Sequence, residues 1–185
     1  MSKPKSAPYG SWVSPIGAED IVRDSVRLGQ LMLDNGNLYW SELRPSEGGR
    51  TTIMCRKGGG VATEVLPDGF SARTKVHEYG GGEFCVDDGE LWYCNDADQR
   101  IYAVDPAGHV RPVSPEGPYR YADLVVDRKR RRIVCVHEDH SRAGEPENTI
   151  VAVTFDGDMD VLASGADFYA APRLSPAGDD IAWIE

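Results

Sequence analysis

One phrase of sequence recurs three times and begins a fourth, and this repetition constrains the fold more than any single residue. Leu31–Trp40, Phe84–Tyr93 and Leu124–Val134 each consist of an apolar run, an Asp-led polar turn and a second apolar run, and Arg173–Trp183 opens the same way. From Asp34 to Asp87, Asp127 and Ser175 the spacings are 53, 40 and 48 residues. A period of roughly 40–50 residues assembled from short strands is the mark of β-propeller blades. Asn35-Gly36 and Asp88-Gly89 are strong hairpin signals. Ile101–Asp105 and Ile150–Thr154 carry the alternation and β-branched content of strands, and no segment reads as a helix. The expected fold class is all-β, a partial β-propeller of about three and a half four-stranded blades.

The expected division is a lead-in over residues 1–24, anchored by the Tyr9–Trp12 patch, and a propeller part over residues 25–185. Blades are placed at about 26–67, 82–115 and 121–165, with an incomplete one at 166–185. A longer loop, Glu138–Asn148, is expected between the second and third strands of the third blade. Ring closure normally covers the faces of the first and last blades, so a partial ring leaves apolar faces and edges open. The chain alone is therefore expected to be marginally stable or to self-associate.

At 41% hydrophobic and 27% charged residues, the chain has the composition of a soluble globular protein. Its net charge of −10 argues against nonspecific nucleic-acid binding, which needs a basic surface. The basic run Arg128–Arg132 occupies the slot of a hairpin turn and is expected to be a solvated tip. No segment approaches the ~18 apolar residues of a membrane span, and Met1–Pro8 lacks the apolar stretch of a secretion signal. Four scattered cysteines, Cys55, Cys85, Cys94 and Cys135, lie in or beside apolar runs, where free thiols behave as small buried hydrophobes. A reducing, cytoplasmic setting fits them.

The first candidate site is His77-Glu78-Tyr79-Gly80-Gly81-Gly82, where three glycines allow close backbone approach and the preceding residues offer polar groups. Its functional reading is a loop facing a cavity, with Glu78 meeting a substrate amine; its structural reading packs Tyr79 and pairs Glu78 with Arg73 or Arg120. Arg120 and Asp123 in Tyr119–Asp123, and Asp167 in Ala166–Tyr169, precede or open successive inner strands. They are expected either to edge the channel or to form Arg–Asp bridges between blades. His137 and His140 stand three apart after a strand, unlike the helical zinc motif, and Asp156–Asp160 lacks the glycine of a calcium loop. No metal or other cofactor is expected.

Arg73–Gly82, Asp96–Tyr102, Tyr119–Asp123, Gly165–Tyr169 and Pro172–Pro176, together with Tyr9–Pro15 and Tyr39–Pro45, resemble the N-terminal propeller of bacterial prolyl oligopeptidase family serine peptidases. The similarity is greatest to the acylaminoacyl peptidase and dipeptidyl aminopeptidase-like branch. This resemblance implies a propeller that restricts access to short peptides and docks on a following C-terminal α/β-hydrolase domain bearing a Ser-Asp-His triad. A hydrolase nucleophile sits in a Gly-x-Ser-x-Gly elbow, and this sequence contains none: Ser11, Ser164 and Ser175 lack glycines at both flanking positions. The chain itself is thus expected to gate and dock rather than to cleave. A non-enzymatic propeller that binds peptide or protein is the alternative, and a calcium-dependent lactonase-like propeller is the weaker third reading.

Overall fold

Strands covered on both faces read as continuous apolar runs, and strands with one open face alternate. This difference orders the architecture. The computed structural model describes residues 6–22 and 25–185; residues 1–5 and 23–24 of the expected lead-in lie outside the described residues. Three four-stranded antiparallel meanders follow one another. They are β1 (Arg27–Asp34) to β4 (Ala62–Glu64), β5 (Phe84–Asp87) to β8 (Val110–Pro112) and β9 (Tyr119–Asp127) to β12 (Met159–Ser164). In the first, β2 is Asn37–Arg44 and β3 is Arg50–Lys57; in the second, β6 is Glu90–Cys94 and β7 is Ile101–Val104. In the third, β10 is Arg132–Asp139 and β11 is Glu147–Thr154; a two-stranded piece, β13 (Ala170–Leu174) with β14 (Ile181–Ile184), completes the order. The first strands β1, β5, β9 and β13 contact one another in sequence, as the inner strands of propeller blades do. The all-β partial propeller expected from the repeat is what forms.

Alternation within the middle blades sorts side chains between two cores. In β6, Leu91 and Tyr93 face the core shared with the first blade, whereas Trp92 and Cys94 face the core shared with the third. In β10, Ile133 and Cys135 pack toward the second blade, and Val134 and Val136 toward β13. Trp92 is fully buried and stacks on Phe155 at 5.6 Å between centroids. On β1 only one face is covered: Leu31 is 64% and Leu33 74% exposed, while Met32 joins the cores.

Two sequence expectations are corrected here. A single-turn helix, α1 (Ala18–Val22), lies in the lead-in, closed by the Gly17 N–H donating to the Asp20 carboxylate at 2.9 Å. It is too short to leave a helical period in the sequence. The lead-in apolar residues Tyr9, Trp12, Val13, Ile16 and Ile21 are exposed, so Tyr9–Trp12 does not anchor to the blades. The basic run lies at an exposed hairpin tip, as expected, but its side chains also reach the neighbouring turns. Asn35 and Gly36 turn β1 into β2 with φ of 47° and 76°, the mirror-image turn that suits a twisted hairpin. The Asp34 carboxylate then accepts from Asp88 N–H and Gly89 N–H at 3.0 and 2.8 Å. Arg128 grips the Asp87 carboxylate and carbonyl and lies over the Trp92 ring. Lys129 pairs with Asp179 at 2.5 Å, and Arg130 donates to the Gly178 carbonyl at 2.6 Å. Each inner turn is therefore tied to the next, and the basic run supplies two of the links.

Candidate functional site

In an antiparallel meander, the links between blades and the β2–β3, β6–β7 and β10–β11 loops share one end of the strands, opposite the turn chain. The loop from Ala72 to Gly82 crosses this end. Its start is fixed by Ala72 N–H to the Thr51 carbonyl (2.8 Å) and Arg73 N–H to the Cys94 carbonyl (2.9 Å). Buried Gln99 holds the next stretch, accepting from Lys75 N–H at 2.7 Å and donating to the Arg73 and Asp96 carbonyls at 3.3 and 3.0 Å.

His77 and Glu78 then adopt successive left-handed conformations, φ 55° and 65°, each costing a non-glycine residue roughly 1–2 kcal/mol. Buried Glu138 holds them there. Its carboxylate accepts from His77 N–H at 2.7 Å, lies 3.2 Å from His77 Nδ1, contacts His140 Nε2 at 2.9 Å and stands 3.7 Å from Arg120. His77 Nε2 meets the Tyr169 carbonyl at 3.1 Å. Arg120 donates to the Lys75 carbonyl at 2.7 Å and pairs with Glu78 at 2.6 Å. The hydrogen bond from Arg120 holds the Glu78 carboxyl below the usual range. Arg73 takes no part in that pairing.

The glycines serve close approach. A Cβ on Gly80 (φ 89°) would stand 3.0 Å from the Thr74 carbonyl, and one on Gly82 would stand 2.8 Å from the Asp123 carboxylate. Asp123 is a bulge residue in β9 at φ 56°. It accepts from Gly82 N–H at 2.7 Å and from Ala171 N–H at 2.9 Å, so its partners are backbone amides rather than an arginine. Ala171 (φ 51°) is the matching bulge in β13, which makes it, and not Asp167, the counterpart of Asp123.

Several cavities open around these groups, and three of them bear on function. An acidic cleft of about 640 Å³ is walled by His77, Glu78, Glu138, Glu145, Glu147 and Asp167, with Phe168 edge-on to His77 at 5.1 Å. On the other side of the same loop, a cleft of about 360 Å³ between the first two blades is lined by Arg27, Ser41, Arg73, Tyr79, Gly80 and Glu83. Tyr79 is 83% exposed there, so the expected packing of its ring does not occur. The third, about 720 Å³, lies along the inner strands past Gln30, Met32, Asp87, Asp123 and Arg173. Of the sequence candidates, His77, Glu78 and Arg120 converge on one cluster around Glu138, Asp167 shares its cleft, and Asp123 and Tyr79 point to other duties. Glu138 and Gln99 were missed, although a carboxylate ending the apolar run Ile133–His137 is a usable signal. His137 is buried against Thr149 Oγ1 at 2.9 Å, and burial lowers its pKa to about 4. No group of three or more potential metal ligands forms among the described residues.

No protein-family model and no curated protein matches the sequence. Solved structures do. A puromycin-hydrolysing peptidase of Mycobacterium tuberculosis shares 34% identity with a TM-score of 0.84, covering 97% of this chain and 31% of its own. A puromycin hydrolase shares 30% identity at TM-score 0.84, over 97% of this chain and 31% of that one. A puromycin hydrolase mutant complexed with PGG shares 31% at 0.84, over 96% and 30%. The chain thus spans about a third of the length of these relatives. With this share of identical residues across the full set of blades, the chain is homologous to the β-propeller region of prolyl oligopeptidase family peptidases.

Proposed function

We propose that this chain is the substrate-gating, domain-docking portion of a serine peptidase that acts on short peptides. The observation that carries this reading is the 34% identity and TM-score of 0.84 with a puromycin-hydrolysing peptidase over 97% of the chain. In this reading residues 25–185 form the propeller part, residues 1–24 lead into it, and bond cleavage belongs to an α/β-hydrolase domain of the acylaminoacyl or dipeptidyl aminopeptidase-like kind. A cytoplasmic setting goes with it, in keeping with four free, buried cysteines. Among the described residues no helix is long and apolar enough to cross a membrane.

The acidic cleft gives the reading its chemistry. Glu78, Glu145, Glu147 and Asp167 face it, and Glu78 spends only one carboxylate oxygen on Arg120. A peptide ammonium placed there gains charge-assisted hydrogen bonds in a partly enclosed site. Titration of the 185-residue chain with trialanine and with N-acetyl-trialanine, followed by NMR, tests this. The free amine is expected to bind at least fivefold tighter, and Glu78→Gln to remove most of that difference. Equal binding of the two peptides would refute amine capture in this cleft.

A further inference from the structure

We propose that the cleft between the first two blades binds the C-terminal carboxylate of a short peptide, with Arg27 and Arg73 as its ligands. This rests on the reading that this end of the propeller meets short peptides, and adds which second group of the peptide it selects. Arg27 opens β1, and Arg73 lies in the segment that joins the first two blades; both line the same cavity of about 360 Å³. Among the described residues neither guanidinium has a carboxylate partner or a side-chain hydrogen bond. Three other arginines at this end are engaged: Arg44 with Glu42, Glu47 and Glu64, Arg50 with Glu47 and Glu64, and Arg120 with Glu78. The two free guanidiniums also stand on fixed backbone. Arg27 pairs in register with Leu43, and the Arg73 amide and carbonyl are bonded to Cys94 and Gln99.

The one carboxylate lining this cleft is turned away from the arginines' task. Glu83 is hydrogen-bonded by the Ser41 hydroxyl, and burial pushes its carboxyl above the usual range. Gly29 makes room for that contact, since a Cβ there would stand 2.4 Å from Ser41 Oγ. A planar guanidinium matches a carboxylate in bidentate fashion, which a point charge does not. The loop His77–Gly82 then divides two clefts of opposite sign, with His77 and Glu78 on the acidic side and Tyr79–Gly81 on the basic side. A short zwitterionic peptide complements that dipolar surface with its two ends. A long chain cannot place both termini there.

Trialanine, its C-terminal amide and its N-acetyl form, titrated into the 185-residue chain, separate this proposal from the reading beneath it. The amide is expected to bind at least fivefold more weakly than the free acid. Arg73→Gln and Arg27→Gln, both at exposed positions, are expected to weaken the acid to the level of the amide and to leave the amide unchanged. An amide that binds as tightly as the acid overturns the proposal, as do variants that weaken both peptides equally. Loss on acetylation without loss on amidation removes the carboxylate site and keeps the amine site; the reverse pattern keeps the carboxylate site and removes the amine site. No binding of any of the three removes both.

Discussion

Asp123 accepts from backbone amides on two different blades, Gly82 N–H of the second and Ala171 N–H of the fourth, while sitting in the third. Removing its carboxylate leaves both amides without their acceptor. Asp123→Ala is expected to destabilise the fold by on the order of 3 kcal/mol, read from urea unfolding, because hydrogen bonds to a charged acceptor are the strong ones. His137 makes a different contribution. Burial lowers its pKa from 6.5 to about 4, so the folded protein keeps the ring neutral where the unfolded chain binds a proton. Stability from this residue is whole above pH 6.5 and falls as pH drops toward about 4, by about 3 kcal/mol across the window. His137→Gln is expected to flatten that part of the stability–pH curve. An unchanged slope would show that the ring titrates normally.

At the scale of elements, the turn chain ties each inner hairpin to the next. Arg128→Ala is expected to cost about 1 kcal/mol, less in high salt, because this partly exposed ion pair is screened and only its cation–π contact with Trp92 persists. Denaturant midpoints at low and high salt measure it. The strands were legible in the sequence because each middle blade buries both faces, so runs such as Ile133–Val136 are solidly apolar between polar turns. What joins the blades was not legible. Glu138 reaches His77 across 61 residues, Asp123 reaches Gly82 across 41, and Lys129 reaches Asp179 across 50. No local pattern tells that an exposed basic run also clasps the neighbouring blades. The His77–Gly82 loop stood out through its glycines, yet its left-handed pair is fixed by a carboxylate from another blade.

At the scale of the whole molecule, the covered blades share continuous cores while the ends of the set stay open. Leu31 and Leu33 are exposed on β1, and Ile184 is 65% exposed on β14, whose outer edge has no paired strand among the described residues. Apolar faces and unpaired edges of this kind drive association. The clefts and the turn chain lie at opposite ends of the same strands, and the blades are linked at both ends, by Asp123 and Glu138 at one and by the turn residues at the other.

The most direct test of a propeller portion that gates without cleaving is light scattering on the purified 185-residue chain, with a fluorogenic aminoacyl substrate assayed on the same fractions. The expected result is dimers or larger species, shifted toward monomer by Leu31→Glu with Leu33→Glu, and no turnover in any fraction. Turnover that co-elutes with a stable monomer would contradict the account.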